Sequence, residues 1–253
     1  TFLQKSIRFT TKVDTFESYE SLRNTADFLF SIGGDGTLLK AVTFVRDSNI
    51  PIMGINTGRL GFISSISAGQ IDDAINDILK ENYDISERAL LELNSENKLF
   101  KDNNFALNEV AISKKDTSSM VRIDAYVDDE FLNTYWADGL VVSTPTGSTG
   151  YSLSCGGPII MPGTNNIIIT PNAPHNLNVR PIVINDNSII KLKVEDRDQL
   201  ALVSLDSRSR AFDSDTELII KKSDFKIRLI QPQNNSFAST IRNKLMWGLD
   251  KRS

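Results

Sequence analysis

The stretch ADFLFSIGGDGTLLKAV, residues 26–42, indicates where one strand ends and a helix begins. Its first apolar run, DFLFSI at 27–32, is nearly continuous, which predicts a strand covered on both faces. The run ends abruptly in the turn GGDGT, and the apolar residues of LLKAVTFV at 38–45 follow at helical spacing. The sequence therefore predicts a βα unit with three glycines and one carboxylate at its turn.

The same alternation of strand and helix continues to about residue 85. IPIMGIN, residues 50–56, predicts a second buried strand, and the apolar residues spaced from Ile71 to Leu79 predict an amphipathic helix. Strand, helix, strand, helix implies a parallel sheet with right-handed crossovers. We therefore expect residues 1–85 to form a Rossmann-like α/β domain.

From about residue 86, short alternating segments separated by turn residues replace this pattern, as in VRIDAYV at 121–127. Asp128 and Asp129 stand where a hairpin turn is expected. This pattern of short alternating segments predicts that residues 86–235 form an all-β antiparallel sandwich. The C-terminus returns to helical spacing, which predicts a helix over 236–249 that packs back on the first domain.

The composition excludes several classes of protein. The net charge of -4 provides no overall basic field for nucleic acid or an anionic membrane. With a single cysteine, Cys155, and a single histidine, His175, neither an intrachain disulfide nor a zinc site built on several such residues is expected. Since no apolar stretch approaches the length of a membrane span or a leader, we expect a cytoplasmic protein.

The glycine turn has the features of a phosphate site. Gly33, Gly34 and Gly36 lie at the predicted carboxyl end of the sheet, where open α/β folds bind ligands. The following helix offers free N–H groups and the positive end of its dipole. Asp35 could position Mg²⁺ or accept a proton from an attacking hydroxyl. A tight βα turn with a helix-initiating aspartate is the structural alternative, because the turn matches neither a Walker A loop nor GxGxxG.

A second cluster occupies ADGLVVSTPTGSTGYSLSCGGPI, residues 137–159, where hydroxyl side chains and glycines interleave without a cation. Such a row of backbone and hydroxyl donors suits sugar and phosphate oxygens, although a strand, a loop and a short capped helix would also explain it. The candidate binding residues in this segment are Asp138, Thr146, Ser148, Thr149, Gly150, Tyr151 and Ser154.

Five segments, taken together, make the sequence resemble the NAD kinase family over essentially the whole chain. They are GGDGTLL (33–39), GINTGRLGF (54–62), LNEVAI (107–112), DGLVVSTPTGSTGYSLSCGGPI (138–159) and ITPNAPHNLNVRPIVI (169–184). GGDGT alone also recurs in diacylglycerol and sphingosine kinases, whereas the long fourth segment is specific. The resemblance implies an α/β domain followed by a β-sandwich, with the active site between them.

The resemblance also implies an activity and partners. The expected reaction moves the γ-phosphoryl group of ATP to the 2′-hydroxyl of the adenosine ribose of NAD, with Mg²⁺ as the metal. Some members of the family also use polyphosphate. Family members form homodimers or homotetramers, in which a neighbouring subunit completes the dinucleotide site.

On the donor side, the resemblance makes Asp35 the catalytic base. The matching phosphate-loop residues are Gly33, Gly34, Gly36 and Thr37. Lys40 falls one turn into the helix, near the expected nucleotide phosphates, although an ordinary exposed lysine would fit the same position. Asn56 ends the second strand and is expected to line the phosphate side. Metal ligands stay undetermined beyond the donor phosphates and Asp35.

On the acceptor side, Asn108 and Glu109 match the pair that holds the dinucleotide. Asp138 matches a carboxylate that contacts the dinucleotide and can act across a subunit boundary. The residues that match the segment along adenine and ribose are Thr149, Gly150, Tyr151 and Ser154.

One segment departs from the family pattern. SLDSRSR, residues 204–210, stands where many relatives read Asp-Gly-Gln, so Ser207 and Arg208 replace the last two positions. The departure puts any ligand contact there in doubt, although Asp206 remains. Two rival functions are a lipid kinase that shares GGDGT and a non-catalytic NAD(P)-binding sensor, which could dispense with Asp35.

Overall fold

The computed structural model describes residues 2–4, 14–16, 18–58, 61–64, 66–115, 120–195, 200–231 and 236–247. The chain divides into two compact units, one formed by Thr1–Arg88 with Phe225–Ser253 and the other by Ala89–Asp224. Residues 225–231, which the sequence pattern groups with the sandwich, belong to the first unit. They do so because the end of the last strand pairs with the parallel sheet.

The elements follow one another along the described chain. Those up to residue 79 are β1 (Phe2–Gln4), β2 (Asp14–Phe16), β3 (Leu29–Ile32), α1 (Asp35–Val45), β4 (Ile52–Asn56), β5 (Ile66–Ser67) and α2 (Ile71–Leu79). The next are β6 (Asp84–Ser95), β7 (Phe105–Ala106), β8 (Glu109–Lys114), β9 (Val121–Val127), β10 (Glu130–Ala137), β11 (Gly139–Ser143) and α3 (Tyr151–Ser154). The last are β12 (Asn166–Asn172), β13 (Ile182–Asn185), β14 (Ile190–Glu195), β15 (Leu200–Leu205), β16 (Arg208–Asp213), β17 (Glu217–Gln231) and α4 (Phe237–Leu245).

The first unit is built on a parallel sheet in which β4 lies between β3 and the C-terminal part of β17. All five residues of β4 are buried, as the apolar run predicts. The buried residues of α1, including Leu38, Val42 and Val45, recur at helical spacing. The α/β prediction for this part of the chain is confirmed.

Strand β3 differs from the prediction that it is covered on both faces. Leu29 and Ser31 are buried, whereas Phe30 is 44% and Ile32 59% exposed. Buried and exposed residues alternate along β3, so one of its faces is packed and no described element covers the other. A continuous apolar run therefore predicted the strand correctly but not its second covered face.

The second unit contains two largely antiparallel sheets. One has the strand order β10, β9, β14, β17, and the other has the order β13, β12, β11, β8, β15, β16. Alternate residues of β9, such as Val121 and Ile123, pack with Val110 and Ile112 of β8 in one hydrophobic core. The predicted β-sandwich is confirmed.

The hairpin between β9 and β10 turns at Asp128 and Asp129, which have φ values of 52° and 68°. Two consecutive positive φ angles are those of a type I′ turn, which matches the twist of antiparallel strands. The predicted hairpin turn is therefore confirmed at these two residues. At the C-terminus, α4 belongs to the first unit, where the Lys244 ammonium lies 5.5 Å from the centre of the Phe62 ring.

Candidate active site

The glycine turn lies at the carboxyl end of β3 and leads directly into α1. Gly33 donates its N–H to the Ile55 carbonyl of β4 at 2.9 Å and has a φ of 151°. A Cβ atom at Gly33 would stand 2.3 Å from the Thr37 hydroxyl, so the turn requires glycine there. Cβ atoms at Gly34 and Gly36 would meet open space, which leaves this backbone accessible to a ligand.

Asp35 is the first residue of α1, and three backbone N–H groups hold its carboxylate. Phe62 donates to Oδ2 at 2.8 Å, while Ile63 and Ser64 donate to Oδ1 at 3.3 and 2.9 Å. Gly61 begins this segment and packs so closely that a Cβ atom there would lie 1.8 Å from Oδ1. We name Gly61–Ser64 the carboxylate clamp.

The clamp limits what Asp35 can still bind. A carboxylate has about four lone-pair positions, of which three are used, so the remaining position is on Oδ2. Sequence reasoning missed the clamp, although the segment GINTGRLGF was one of those that carry the family resemblance. Nothing local to GGDGT indicates which residues will meet its carboxylate.

The other donor-side candidates differ in their surroundings. Asn56 is the last residue of β4 and lies at the same carboxyl end of the parallel sheet as Gly33, which follows β3. It is 3% exposed. Its Oδ1 accepts the Gly58 N–H at 2.8 Å, whereas its buried Nδ2 has no partner among the described residues. Thr37 and Lys40 are exposed on α1.

In the second unit, Asn108 and Glu109 form the turn from β7 into β8, and each is 9% exposed. Asn108 Oδ1 and Glu109 Oε2 are buried and have no partner within the described residues. Burial, followed by the nearby negative charge of Asp206, raises the pKa of Glu109 to about 7. Buried polar atoms are usually hydrogen-bonded, so two buried oxygens without a donor are ready to accept hydrogen bonds from a polar ligand.

The hydroxyl-rich segment folds into a 3₁₀ turn, Gly147–Thr149, followed by α3. Much of its hydroxyl content holds the segment itself together. Ser148 Oγ lies 2.6 Å from the Pro145 carbonyl and accepts the Ile160 N–H at 3.0 Å. The Ser148 side chain is fully buried, so it shapes the turn rather than facing an opening. Thr146 is also buried, and its carbonyl accepts the Thr149 hydroxyl at 3.2 Å.

Gly150 brings this segment against the Asn108–Glu109 turn. A Cβ atom at Gly150 would stand 3.0 Å from Glu109 Oε2 and 3.4 Å from Asn108 Nδ2. Gly147 makes a tighter approach, because its Cβ would lie 2.0 Å from the Asn108 carbonyl oxygen. The structure thus places Asn108, Glu109 and Gly150 in one cluster, while Ser154 is exposed at the end of α3.

Tyr151 and Asp138 each have a partner that sequence reasoning did not identify. Asn172 donates from Nδ2 to the Tyr151 hydroxyl at 2.9 Å, and Lys114 Nζ lies 2.7 Å from Asp138 Oδ1. Lys114 thus supplies a cation that the segment 137–159 itself lacks. Burial, followed by the charges of Cys155, Asp138 and Glu109, raises the pKa of Tyr151.

Family models match both parts of the chain. The ATP-NAD kinase N-terminal domain matches residues 1–83, and the ATP-NAD kinase C-terminal domain matches residues 107–232. The NAD kinase of Cytophaga hutchinsonii is 53% identical over 227 residues, which is 90% of this chain and 78% of that protein. The NAD kinase of Flavobacterium johnsoniae is 52% identical over 241 residues, covering 94% of this chain and 82% of that protein.

Solved structures show the same fold. Yeast NADH kinase complexed with NADH has a TM-score of 0.84 at 26% identity, covering 94% of this chain and 70% of that one. An NAD kinase from Archaeoglobus fulgidus in complex with ATP has a TM-score of 0.77 at 28% identity, covering 93% and 88%. With both halves matched in order and relatives above 50% identity over most of its length, the chain belongs to the ATP-NAD kinase family.

Proposed function

We propose that this protein is an NAD kinase that transfers the γ-phosphoryl group of ATP to the 2′-hydroxyl of the adenosine ribose of NAD. The observation that carries the proposal is the carboxylate of Asp35, fixed by three N–H groups at a glycine turn that begins a helix. Phosphoryl transfer depends mainly on in-line positioning and on charge neutralisation. A fixed carboxylate beside a phosphate loop would provide the positioning.

On the donor side, the open backbone at Gly34 and Gly36 and the N-terminus of α1 would receive the ATP phosphates. Lys40, exposed one turn further along, would add a positive charge. The unpartnered Nδ2 of Asn56 would donate a hydrogen bond to the ligand at the same carboxyl end of the sheet. Asp35 then accepts the hydrogen of the attacking hydroxyl at its free position on Oδ2.

On the acceptor side, Asn108 and Glu109 would hold the dinucleotide through their unpartnered oxygens. The exposed edge of Tyr151 would pack along it, and Asp138 would contact it while paired with Lys114. Thr149, Gly150 and Ser154 would line the same path, whereas Thr146 and Ser148 maintain the turn that presents them.

The residues present are compatible with Mg²⁺. The described residues contain no group of three or more histidine, cysteine, aspartate or glutamate side chains suited to holding a metal ion. Mg²⁺ usually takes one or two carboxylates together with substrate phosphates and waters, so a dedicated protein cage is not required. Because the one lone-pair position left on Asp35 can serve either the ion or the attacking hydroxyl, the donor phosphates and waters would hold Mg²⁺ when Asp35 acts as the base. When bound, the ion would neutralise charge on the donor phosphates.

The two rival functions are not favoured by the findings. A lipid kinase gives no reason for the match of residues 107–232 to the ATP-NAD kinase C-terminal domain. A non-catalytic sensor gives no reason for a carboxylate held by three donors at the glycine turn. Incubation with ATP and either NAD or diacylglycerol, followed by mass spectrometry of the products, distinguishes all three functions.

An NAD analogue with 2′-deoxyadenosine is expected to bind without being phosphorylated. The missing hydroxyl removes the nucleophile and about one or two hydrogen bonds, so affinity should fall by roughly 1–3 kcal/mol. The analogue should inhibit competitively against NAD in steady-state kinetics. A phosphorylated analogue in the mass spectrum would show that transfer goes to another hydroxyl and would contradict the assigned reaction.

We also propose that the enzyme works in the cytoplasm as a homodimer or homotetramer whose subunits share sites. The single cysteine fits a reducing compartment. The second unit exposes large apolar side chains, with Phe131 at 54%, Trp136 at 45% and Leu177 at 87%, which fits burial against another subunit. No helix in the described part of the chain has the length and apolarity to cross a membrane.

If Asp138 or residues 146–154 complete a neighbour's site, specific activity should fall when the protein is diluted to the monomer. Mass photometry and NAD phosphorylation measured over the same concentration series test this expectation. Addition of concentrated Asp35→Asn protein serves as a control, because it can restore subunit contacts without adding an intact catalytic site. A fully active monomer would show that each chain closes its own site.

A further inference from the structure

The turn between β15 and β16 contains the departure from the family pattern and also a buried carboxylate. Leu205 pairs with Arg208 across this hairpin, so Asp206 and Ser207 form its two-residue turn. Asp206 has a φ of 52°, a conformation that aspartate tolerates better than most residues. Its side chain is only 3% exposed, so the carboxylate points into the protein and not toward a ligand.

The Asp206 carboxylate accepts the N–H groups of three consecutive residues. Oδ2 accepts from Leu107 at 3.0 Å, and Oδ1 accepts from Asn108 at 2.8 Å and Glu109 at 3.3 Å. The Asp206 N–H in turn donates to the Glu109 carbonyl at 3.0 Å. Four hydrogen bonds therefore fix the backbone of the turn that carries the two proposed dinucleotide ligands.

Arg208, which stands where many relatives have glutamine, supports the same turn from the other side. Its guanidinium donates to the Asn103 carbonyl at 2.6 Å and to the Phe105 carbonyl. It also lies over the Phe105 ring and 3.9 Å from Asp206 Oδ2. Arg208 thus holds the backbone just before Asn108 through two hydrogen bonds.

We propose that Asp206 is a positioning residue for the dinucleotide: it fixes the Leu107–Glu109 backbone and thereby sets how Asn108 and Glu109 meet the ligand. This proposal rests on the proposed function, in which Asn108 and Glu109 bind the dinucleotide. From the opposite side, Thr144 donates its N–H to the Asn108 carbonyl at 2.9 Å. With the backbone held on both sides, the unpartnered side-chain atoms of Asn108 and Glu109 are ready to receive a ligand.

Asp206 also acts on Glu109 through its charge. Among the described residues, the titratable groups near Glu109 are Asp206 on the hairpin turn and Tyr151 and Cys155 on α3 and at its end. Arg208 lies 3.9 Å from the Asp206 carboxylate. Burial raises the pKa of Glu109 most, and the like charge of Asp206 raises it further, to about 7. Removing the Asp206 charge should therefore lower the pKa of Glu109, because its ionised form is no longer repelled.

Asp206→Asn separates positioning from a general loss of structure. At pH 8.5, where Glu109 is ionised in both proteins, we expect NAD to bind about tenfold more weakly, with kcat at saturating NAD changed by less than about threefold. NAD affinity of the wild type should rise with pH and show an inflection near pH 7, where Glu109 ionises, since an ionised carboxylate is the stronger acceptor for ribose hydroxyls. In the Asp206→Asn variant, the inflection in the plot of NAD affinity against pH should move to lower pH. Calorimetric titrations from pH 5.5 to 8.5 measure both effects.

Three further variants act as controls. Asp213→Asn removes the same charge from an exposed position on β16 of the same hairpin and should leave affinity and inflection unchanged. Glu109→Gln should abolish the inflection. Asp206→Glu keeps the charge but not the geometry, so the inflection should return to near pH 7 while affinity stays reduced. An Asp206→Asn protein with wild-type affinity and an unmoved inflection would overturn the proposal.

Direct NMR titration of the Glu109 carboxyl in the unliganded protein keeps this inference separate from the proposed function. The Glu109→Gln variant identifies the resonance. If the wild type failed to phosphorylate NAD, the proposed function would be wrong, yet the titration would still show whether Asp206 acts on Glu109. If Asp206→Asn failed to fold, the Asp206→Glu variant would still test positioning, because it changes the geometry of the carboxylate, and an unchanged NAD affinity there would contradict the proposal.

Discussion

Replacement of Asp35 with asparagine is expected to reduce turnover by about 10²- to 10⁴-fold while the protein stays folded. The amide cannot take the hydroxyl hydrogen as a base, and its NH₂ group would face a backbone N–H of the carboxylate clamp, where the carboxylate accepts. One lost hydrogen bond to a charged acceptor costs about 1.5–3 kcal/mol, which is less than the usual stability of a folded protein. Steady-state kinetics with NAD and ATP, together with thermal unfolding, measure the two effects.

The matched control is Asp73→Asn. Asp73 is an exposed aspartate in the first turn of α2, as Asp35 is in the first turn of α1, but no glycine turn precedes it. If Asp35 served only to initiate its helix, the two substitutions would have similar small effects on stability and none on turnover. An Asp35→Asn enzyme that kept more than about half of the wild-type turnover would contradict the proposed role.

Substitution of Gly61 by alanine is expected to lower kcat by about 10²-fold although Gly61 carries no functional group. The new Cβ would stand 1.8 Å from Asp35 Oδ1 and 2.5 Å from Cγ, so the carboxylate or the clamp has to move by about 1 Å. A displacement of that size at a reacting group can cost about 10²-fold in rate. NAD affinity should change little, because Asn108 and Glu109 belong to the other unit.

Gly69→Ala provides the comparison for Gly61→Ala. Gly69 lies in the same unit, and a Cβ atom there would meet nothing within 4 Å. Neither glycine has a positive φ, so backbone strain does not distinguish the two substitutions. We expect Gly69→Ala to keep full turnover and to gain a few tenths of a kcal/mol in stability. Equal turnover in the two variants would show that the placement of Asp35 by the clamp does not matter.

Periodicity predicted the fold because it reports which faces of an element are buried. The five buried residues of β4 form a continuous apolar run, and the alternation in β9 and β15 marks strands with one face in a core. The same signal failed for β3, whose Phe30 and Ile32 lie on a face that no described element covers. Which elements pack against each face of a strand is decided by the tertiary arrangement and is not encoded in the local pattern.

The sequence by itself determined the fold class, the family and the types of residue available for chemistry, since these depend on local period and on the order of motifs. Only the tertiary structure decided which groups meet. Asp35 meets the N–H of Phe62, 27 residues later, and Asp206 meets the N–H of Asn108, 98 residues earlier. Lys114 reaches Asp138 because β8 and β11 are neighbours in one sheet. Such contacts follow from strand order and register, which emerge only when the whole core is packed.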